Sequence, residues 1–394
     1  MMGRGNLSQH FPRLAALVGL CLVSLAGQAS DERIWLEGKV NGKPLRFIFD
    51  TGAGDIILFR STAEKLGLKV TNPPQNAQGV PGTVAMGRSE KCDFSLGENT
   101  TGLTLAIFEP PAPLQMNADG IIGWNPIKNN IIQIDAEKAT VKCLAEIPPE
   151  TAGWTRFSIK LAPESGVLIL TAAGQPGEPA FIIDTGSDFG LKLCPKKWHE
   201  WLATHPDQPK TLNAYYTPAE GLLVVVETLG KERPLGPLML TAVPVTEACA
   251  AETALGGANY EGTLGLAALA RLDFIIDGPK GIAYLRPRQT PAQPYQHNRL
   301  GAVFSPVDLA HEDLVARVIE GSPAFEAGIR TGNLLLKIDD LDVTRWRTDP
   351  KVLPLSRFWE RSPGTRMVLS VKQGQKTVAI TVTLRQILSI DGKP

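Results

Sequence analysis

Two copies of the tripeptide Asp-Thr-Gly, 134 positions apart, carry the side chains best suited to chemistry in this chain. They are Asp50-Thr51-Gly52 and Asp184-Thr185-Gly186, and an apolar run precedes each copy. A strand that ends in Asp-Thr-Gly places a carboxylate on a tight turn, because glycine permits the backbone conformations that such a turn needs. Two turns brought together would form a carboxylate pair. A pair that shares one proton can activate water against an amide bond.

The sequence around the two tripeptides also repeats, which predicts two similar units that position them. Residues 34–46 predict a strand, an Asn-Gly hairpin turn and a second strand ahead of the first copy, and residues 166–177 predict the same ahead of the second. Further on, each unit has an acidic residue, a glycine, two apolar residues and another glycine, at Gly123 and at Gly265. A short helix and a strand are expected after each of these glycines.

Length and composition predict several folded units. The chain has 394 residues, of which 43% are hydrophobic and 20% charged, so it can form two or three domains with their own cores. The predicted organisation is a leader at 1–29, a first half at 31–150, a second half at 151–288, a Pro/Gln-rich linker at 289–299 and a different unit at 300–388. In the last unit, residues 322–328 predict a short helix, and a second helix is expected over 349–360, broken or offset at Pro354.

The first 29 residues have the pattern of a secretory signal. Arg4 and Arg13 precede an apolar run at 14–25, and Gly27-Gln28-Ala29 supplies small residues for cleavage. The alternative is a membrane anchor, although the run is shorter than the roughly 20 residues of a bilayer span. We therefore expect export, with no membrane span after cleavage.

Charge and cysteine content narrow the function classes. The formal net charge is zero, so no nucleic-acid partner is expected. Two cysteines fall in each half, and an exported chain would favour the disulfides Cys92–Cys143 and Cys194–Cys249; the alternative is four buried thiols. The sequence lacks Cys-x-x-Cys and His-Glu-x-x-His spacings, so we expect neither a metal nor a cofactor.

At residues 47–52 and 181–186, and at the elements that end in Gly123 and Gly265, the chain resembles the aspartic peptidases. Each half resembles a retroviral-type subunit, and both in one chain resemble the pepsin-like enzymes with shorter halves. The resemblance implies a mainly β fold with two closed β-barrel halves related by a pseudo-twofold axis. It also implies an active site between the halves that hydrolyses unfolded or extended polypeptides.

The resemblance implies roles for the residues of both turns. Asp50 and Asp184 would be the catalytic pair, which titrates as a unit, so neither can be assigned as the base. Thr51 and Thr185 would reach across the interface to the backbone of the opposite turn.

Three further residues would support the pair. Gly52 and Gly186 would direct their amides at the carboxylates. Ser187 would hydrogen-bond the outer oxygen of Asp184, and Ala53 offers nothing equivalent to Asp50. Flaps that cover the substrate are expected at Val80, Pro81 and Gly82 in the first half and at Gly221 in the second.

The unit at 300–388 resembles a PDZ domain of the bacterial, protease-associated kind on residues 321–338. The stretch that matches the carboxylate-binding loop is Leu300, Gly301, Ala302, Val303 and Phe304. The resemblance implies binding of peptide C-termini as an added strand, and a location in the bacterial periplasm or cell envelope. A packing or dimerisation module is the alternative.

The function that we expect is therefore that of an exported aspartic endopeptidase. One alternative is a catalytically inactive peptide-binding or adaptor protein that retains the fold. Another is a carboxylate-pair glycosidase, for which the Thr-Gly context is poor support. Carboxyl groups within hydrogen-bonding reach would favour the enzyme, whereas distant carboxyl groups would favour the adaptor.

Overall fold

The computed structural model describes residues 23–24, 33–71, 86–109, 118–162, 165–172, 178–217, 220–290, 292–308, 310–349 and 351–389. The protein is mainly β, as the sequence predicts. Val80, Pro81 and Gly82, the predicted flap of the first half, lie outside the described residues. Within the described ranges, no helix has both the length and the apolar character that a membrane crossing requires.

The N-terminal segment, residues 33–144, contains a closed barrel. Its elements, preceded by one short strand, are β1 (Val23–Ser24), β2 (Trp35–Val40), β3 (Lys43–Phe49), β4 (Ile56–Phe59), α1 (Arg60–Lys65), β5 (Val70–Thr71), β6 (Met86–Leu96), β7 (Asn99–Phe108), β8 (Gly120–Ile122), a 3-10 helix (Asn125–Ile127), β9 (Ile131–Asp135) and β10 (Thr140–Leu144). Six strands run in the order β2-β3-β8-β4-β7-β6, and a β2–β6 pairing closes the barrel. The predicted hairpin turn joins β2 to β3, with positive φ angles of 49° at Asn41 and 77° at Gly42.

The middle segment, residues 149–287, forms most of a larger sheet. Its elements are a 3-10 helix (Pro149–Gly153), β11 (Thr155–Leu161), β12 (Leu168–Ala172), β13 (Ala180–Ile183), β14 (Leu191–Leu193), α2 (Pro195–Thr204), β15 (Lys210–Thr217), β16 (Gly221–Leu235), β17 (Leu238–Glu247), α3 (Ala250–Gly256), β18 (Tyr260–Leu264), α4 (Leu266–Leu269), β19 (Leu272–Asp277) and β20 (Ile282–Pro287). The short helices after Gly123 and Gly265 are present, as predicted.

The sheet of the middle segment differs from the second closed barrel that the sequence predicts. Its thirteen strands run in the order β1-β15-β16-β17-β14-β18-β13-β12-β11-β20-β19-β9-β10, and the described strands form no pairing that closes it. In the N-terminal segment, β2 closes the barrel by pairing with β6. Here β11 pairs instead with β20, which continues through β19 into β9.

Strands from both segments meet at β9 and β19. Phe274 lies opposite Ile134 and Ile276 opposite Ile132, and all four side chains are buried. Apolar residues at every second position place these side chains on one face, where they join the largest hydrophobic core of the protein. This continuous sheet joins the two segments.

The C-terminal segment, residues 300–389, has its own sheet and core. Its elements are β21 (Ala302–Ser305), β22 (Leu314–Val318), α5 (Pro323–Glu326), β23 (Leu334–Ile338), β24 (Leu341–Asp342), α6 (Ser356–Trp359), β25 (Arg366–Gln373) and β26 (Lys376–Thr383). The main strand order is β21-β22-β23-β25-β26, and β24 pairs with β23. Ser322 begins α5 as predicted, because its Oγ accepts a hydrogen bond from Phe325 N at 3.3 Å.

The second helix of the C-terminal segment is shorter than predicted. The sequence suggests a helix within 349–360, but α6 contains only four residues. Pro354 explains the difference, because proline has no backbone N–H and disfavours helical geometry at the preceding Leu353.

The predicted disulfides are not formed, and Cys92, Cys143, Cys194 and Cys249 are all free in the part of the chain that the structure describes. Cys92 lies in the barrel on β6, whereas Cys143 is exposed on β10 of the other sheet. In the second pair, Ala248 N donates to Leu193 O at 2.8 Å, so Ala248 lies beside Cys194. Cys249 instead caps the start of α3, where its backbone N donates to Glu252 Oε2 at 2.9 Å.

Candidate active site

Equivalent strand pairings in the two segments position Asp50 and Asp184. In the N-terminal segment, β3 runs parallel to β8, and Asp50 N donates to Ile122 O at 3.0 Å. In the middle segment, β13 runs parallel to β18, and Asp184 N donates to Leu264 O at 3.0 Å. Each aspartate is therefore the first residue beyond a buried strand, and both carboxyl groups are buried.

The two threonines bind the turns to each other. Thr51 Oγ1 donates to Ile183 O at 2.7 Å, and Thr185 Oγ1 donates to Phe49 O at 2.9 Å. In return, Thr51 N donates to Thr185 Oγ1 at 3.0 Å, and Thr185 N to Thr51 Oγ1 at 3.1 Å. Four reciprocal hydrogen bonds between buried groups thus fix the position of one turn relative to the other, as predicted for Thr51 and Thr185.

The glycines allow the carboxyl groups to approach. Gly52 N donates to Asp50 Oδ1 at 2.8 Å, and Gly186 N to Asp184 Oδ1 at 3.0 Å. A Cβ atom on Gly52 would lie 2.7 Å from Asp184 Cγ, and one on Gly186 would lie closer still to Asp50 Cγ. Each glycine therefore faces the opposite carboxyl group, and the carboxyl groups of Asp50 and Asp184 lie next to each other.

Burial makes both carboxyl groups weaker acids than exposed carboxyl groups. It raises the pKa of Asp50 to about 6, against the opposing effect of the Asp184 hydrogen bond and the amides of Gly52, Ala53 and Gly186. Burial and then the Asp50 charge raise the pKa of Asp184 well above its usual range. Asp184 Oδ2, moreover, has no hydrogen-bond partner within the described residues. The two carboxyl groups therefore titrate as one unit, in which burial favours retention of a shared proton.

Sequence comparison finds a match around the first of these turns. The family described as aspartyl protease matches residues 36–125, a stretch that contains Asp50 and the closed barrel. This part of the chain has an aspartic protease-like fold. Among solved structures, EIAV protease in complex with the inhibitor HBY-793 is similar at 15% identity and a TM-score of 0.20, over 26% of this chain and 90% of that chain. No curated protein matches the chain.

Ser187 does not make the hydrogen bond that the sequence predicts. Ser187 Oγ and Asp184 Oδ2 are both buried, and neither has a partner among the described residues. The backbone of Ser187 is used instead: its N donates to Asp184 O at 3.3 Å, and its carbonyl accepts from Leu266 N at 2.7 Å. Ala53 makes the corresponding contacts in the first turn of the aspartic protease-like fold, with Asp50 O and Trp124 N at 3.0 Å each.

Gly221, the predicted second flap, lies at one end of the long β15–β16 hairpin. It pairs with Thr217 and has a φ of 75°. The hairpin end is held in place, because Glu220 N donates to Thr217 Oγ1 at 2.9 Å and Ala251 N donates to Glu220 Oε1 at 2.6 Å. The short strand β1, from the predicted leader, pairs with β15 at Tyr215 and Tyr216.

The predicted carboxylate-binding loop in the C-terminal segment is occupied by the chain's own Asn298. Asn298 Oδ1 accepts hydrogen bonds from Leu300 N at 2.9 Å and Gly301 N at 3.1 Å. Asn298 Nδ2 donates to Ala302 O at 2.8 Å and to Leu212 O, on β15, at 3.0 Å. Together with Val303 and Phe304, the loop residues Leu300 and Ala302 are buried. This loop is thus not free to receive a ligand in the conformation described, because Asn298, two residues before it, occupies its amides.

Sequence reasoning missed a buried ion pair near Asp184. Lys192 Nζ lies 3.4 Å from Glu252 Oε1, and the two side chains are 1% and 0% exposed. A signal was present in the sequence, because a lysine stands between Leu191 and Leu193 in a strand that is otherwise apolar. A lone lysine in an apolar strand requires a buried partner or a functional reason.

Proposed function

We propose that this protein is an aspartic endopeptidase in which Asp50 and Asp184 activate water. The observation that carries the proposal is the meeting of their carboxyl groups between turns held by Thr51 and Thr185. The equivalent pairings of β3 with β8 and β13 with β18 support two related halves about a pseudo-twofold axis.

The shared proton supports a division of work between the two carboxyl groups. The ionised carboxylate takes a proton from a water molecule between them, while its protonated partner donates a hydrogen bond to the carbonyl oxygen of the scissile peptide. The water oxygen attacks the carbonyl carbon and forms a tetrahedral diol. The carboxyl group that took the proton of the water passes it to the leaving nitrogen, the other carboxyl group takes a proton back from the diol, and the C–N bond breaks without an acyl-enzyme. Asp50 and Asp184 share one proton again at the end.

Substrates are extended or unfolded polypeptides in this proposal. The β15–β16 hairpin, which ends at Gly221, would cover the bound chain and exclude water. The predicted leader at 1–29 supports export to a bacterial periplasm or cell envelope, where such polypeptides would be met.

For the C-terminal segment, we infer a PDZ-like module that restrains access to the peptidase. Its predicted peptide edge, β21, contacts β15 through Leu212, Ala214 and Val303. Asn298 Nδ2 also bridges the two strands, because it donates to Leu212 O on β15 and to Ala302 O on β21. A peptide C-terminus would compete with Asn298 for the amides of Leu300 and Gly301. This contact with the hairpin favours a restraining module over a free recruiting module.

The decisive experiment compares the full chain with Asp50→Asn and Asp184→Asn on a mixed peptide library, with cleavage read by mass spectrometry. Each variant should lose at least 99% of the cleavage rate and keep the wild-type circular dichroism spectrum. Asp207→Asn, at an exposed position, is the matched control and should cleave normally. Cleavage that survives in either Asn variant would exclude the pair as the catalyst. Peptide binding without hydrolysis by the wild type would support the adaptor instead.

A further inference from the structure

The strands that follow the two Asp-Thr-Gly turns, β4 and β14, pair with their neighbours in the same register, but one side chain differs in charge. On β14, Leu191 lies opposite Leu264 and Lys192 opposite Thr263. On β4, Ile56 lies opposite Ile122 and Ile57 opposite Ile121. Lys192 therefore occupies the place that Ile57 fills beside the first turn, and both side chains are almost wholly buried. Since isoleucine fills this place at β4, packing alone does not require a charge there.

The environment of Lys192 balances its charge but does not satisfy its hydrogen bonds. Glu252 is the counter-ion, and the ring centroids of Phe189 and Tyr215 lie 4.6 Å and 4.4 Å from Nζ. Nζ nevertheless has no hydrogen-bond acceptor among the described residues, and Glu252 Oε1 likewise has no donor. A buried ion pair with unmet hydrogen bonds is a poor source of stability, which suggests another role.

The sheet places this ion pair near Asp184. Ile183, Leu264 and Leu191 are neighbours on three adjacent strands, β13, β18 and β14. Asp184 follows the first of these residues and Lys192 the last, on strands that run in opposite directions. Two strand spacings and this opposite displacement separate their backbones by about 12 Å, a distance at which buried charges still interact with little screening.

We propose that the buried Lys192–Glu252 ion pair is an electrostatic positioning pair that acts through space on Asp184 and makes the two carboxyl groups of the dyad unequal in how readily each gives up the shared proton. The inference rests on the proposed peptidase function and deepens it. Lys192 lowers the pKa of Asp184 and Glu252 raises it, with the lysine acting more strongly. No comparable pair acts on Asp50 from β4, where Ile57 stands. The two aspartates are consequently unequal although their turns match.

Several other ionisable groups lie near the Lys192–Glu252 pair, and three of them are neutral. Those that face it from the neighbouring elements are Asp184 and Asp50 in the turns, Tyr215 on β15, Glu220 at the hairpin end, Cys249 before α3, Tyr260 on β18 and Cys194 after β14. Burial raises the pKa of the two tyrosines and of Cys249, so these three stay neutral. Glu252 is therefore the counter-charge closest to Lys192.

The test measures the pH profile of kcat/KM for the full-length wild type, Lys192→Ile, Glu252→Gln and the double variant. Lys192→Ile carries the side chain that the equivalent strand uses at Ile57. Loss of the positive charge should move the profile to higher pH by about one unit, and loss of the negative charge should move it to lower pH. The double variant should move upward by less than Lys192→Ile, because the lysine acts more strongly. A purely structural pair would not give shifts of opposite sign.

The surface pair Lys197–Glu261, at 3.2 Å, supplies the matched control in the same segment. Lys197→Ile and Glu261→Gln should leave the profile within about 0.2 pH units of the wild type. If a single variant in the buried pair fails to fold, the double variant, which buries no net charge, still decides. A wild-type profile for the double variant would overturn the proposal.

A second measurement separates this inference from the proposed function. Titration of ¹³C-labelled aspartate carboxyl groups by NMR, with Asp184 assigned by comparison with Asp184→Asn, needs no catalysis. If the wild type cleaves nothing, the peptidase proposal fails, and the carboxyl titration alone tests the pair. An upward shift of the Asp184 titration in Lys192→Ile supports the inference. An unchanged titration contradicts it whether or not the protein is an enzyme.

Discussion

Thr51 and Thr185 each donate a backbone N–H to the other's hydroxyl oxygen, at 3.0 Å and 3.1 Å. Each hydroxyl in turn donates to a carbonyl oxygen in the strand that leads to the opposite aspartate, at Ile183 and Phe49. Because all these groups are buried, the loss of one partner leaves others unsatisfied. The two turns therefore form one structural unit.

Replacing either hydroxyl should loosen this unit. Thr51→Val keeps the shape of the side chain but removes one donor and one acceptor, and we expect a loss of about 1–3 kcal/mol in the free energy of unfolding. The rate of peptide cleavage should fall at least tenfold, because the carboxyl groups are less well positioned. Urea denaturation and cleavage assays measure both effects, and Thr185→Val should behave alike. Thr377→Val, on the exposed part of β26, is the control, and an equal loss there would contradict the assignment.

Added bulk at Gly186 should disrupt the dyad. A Cβ atom at this position would lie within 3.0 Å of the Asp50 carboxyl group, so Gly186→Ala must displace the catalytic group. We expect cleavage to fall below about 1% of the wild-type rate, a loss typical of a displaced catalytic group. Gly153→Ala is the control, since a Cβ atom there has no neighbour within 4 Å among the described residues. Normal cleavage by Gly186→Ala would show that the carboxyl groups are further apart in solution.

The raised pKa of the dyad predicts how the cleavage rate changes on the acidic side of the pH profile. Burial raises the pKa of Asp50 to about 6, so the pair holds two protons well below this pH and one proton above it. Because the doubly protonated pair lacks a base, activity should fall as the pH drops through about 6. Steady-state cleavage between pH 4 and 8 tests this, with circular dichroism at each pH to exclude unfolding. Maximal activity near pH 4 would contradict it.

Glu227, on β16, should make the contact between the β15–β16 hairpin and Tyr295 depend on pH. Its Oε1 accepts a hydrogen bond from Tyr295 Oη at 2.7 Å, and burial raises its pKa from 4.5 to about 7. The folded state therefore binds this proton more tightly than the unfolded state. Its contribution to stability is complete below about pH 4.5 and is lost as the pH rises through about 7. The free energy of unfolding should decrease by up to about 3 kcal/mol from this group.

Glu227→Gln removes the titration and should flatten this part of the pH dependence. Urea denaturation of both proteins at pH 5 and pH 8.5 gives the comparison, with the more exposed Glu247→Gln as the control. Identical slopes for wild type and Glu227→Gln would show that Glu227 ionises normally in the folded protein.

Asn298→Ala should open the loop at the start of the C-terminal segment. The change frees the amides of Leu300 and Gly301 and removes the bridge to Leu212 O. We expect a loss of about 1–3 kcal/mol in stability and at least tenfold tighter binding of peptides with a free C-terminal carboxylate. Fluorescence anisotropy with one peptide, as the free acid and as the amide, measures the binding. Asn99→Ala, at an exposed position, is the control, and equal binding of both peptide forms would argue against a carboxylate site.

Much of the site was predictable from the sequence because it depends on local pattern. The alternation of apolar residues, the Asn-Gly turn, the two Asp-Thr-Gly corners and the two later glycines each specify a strand, a turn or a close approach within a few residues. The roles of Asp50 and Asp184 in catalysis stay predictions. The meeting of their carboxyl groups is a property of the structure.

Tertiary structure alone decided which distant groups meet. No local pattern indicates that β9 pairs with β19 and opens the expected second barrel into a longer sheet, or that Ala248 rather than Cys249 lies beside Cys194. The same holds for Asn298, which the sequence places in a linker, and for Lys192, whose burial follows from three strands that meet only in the fold. Local propensity acts over a few residues, whereas the pairing of charges and hydrogen bonds depends on the packing of the whole chain.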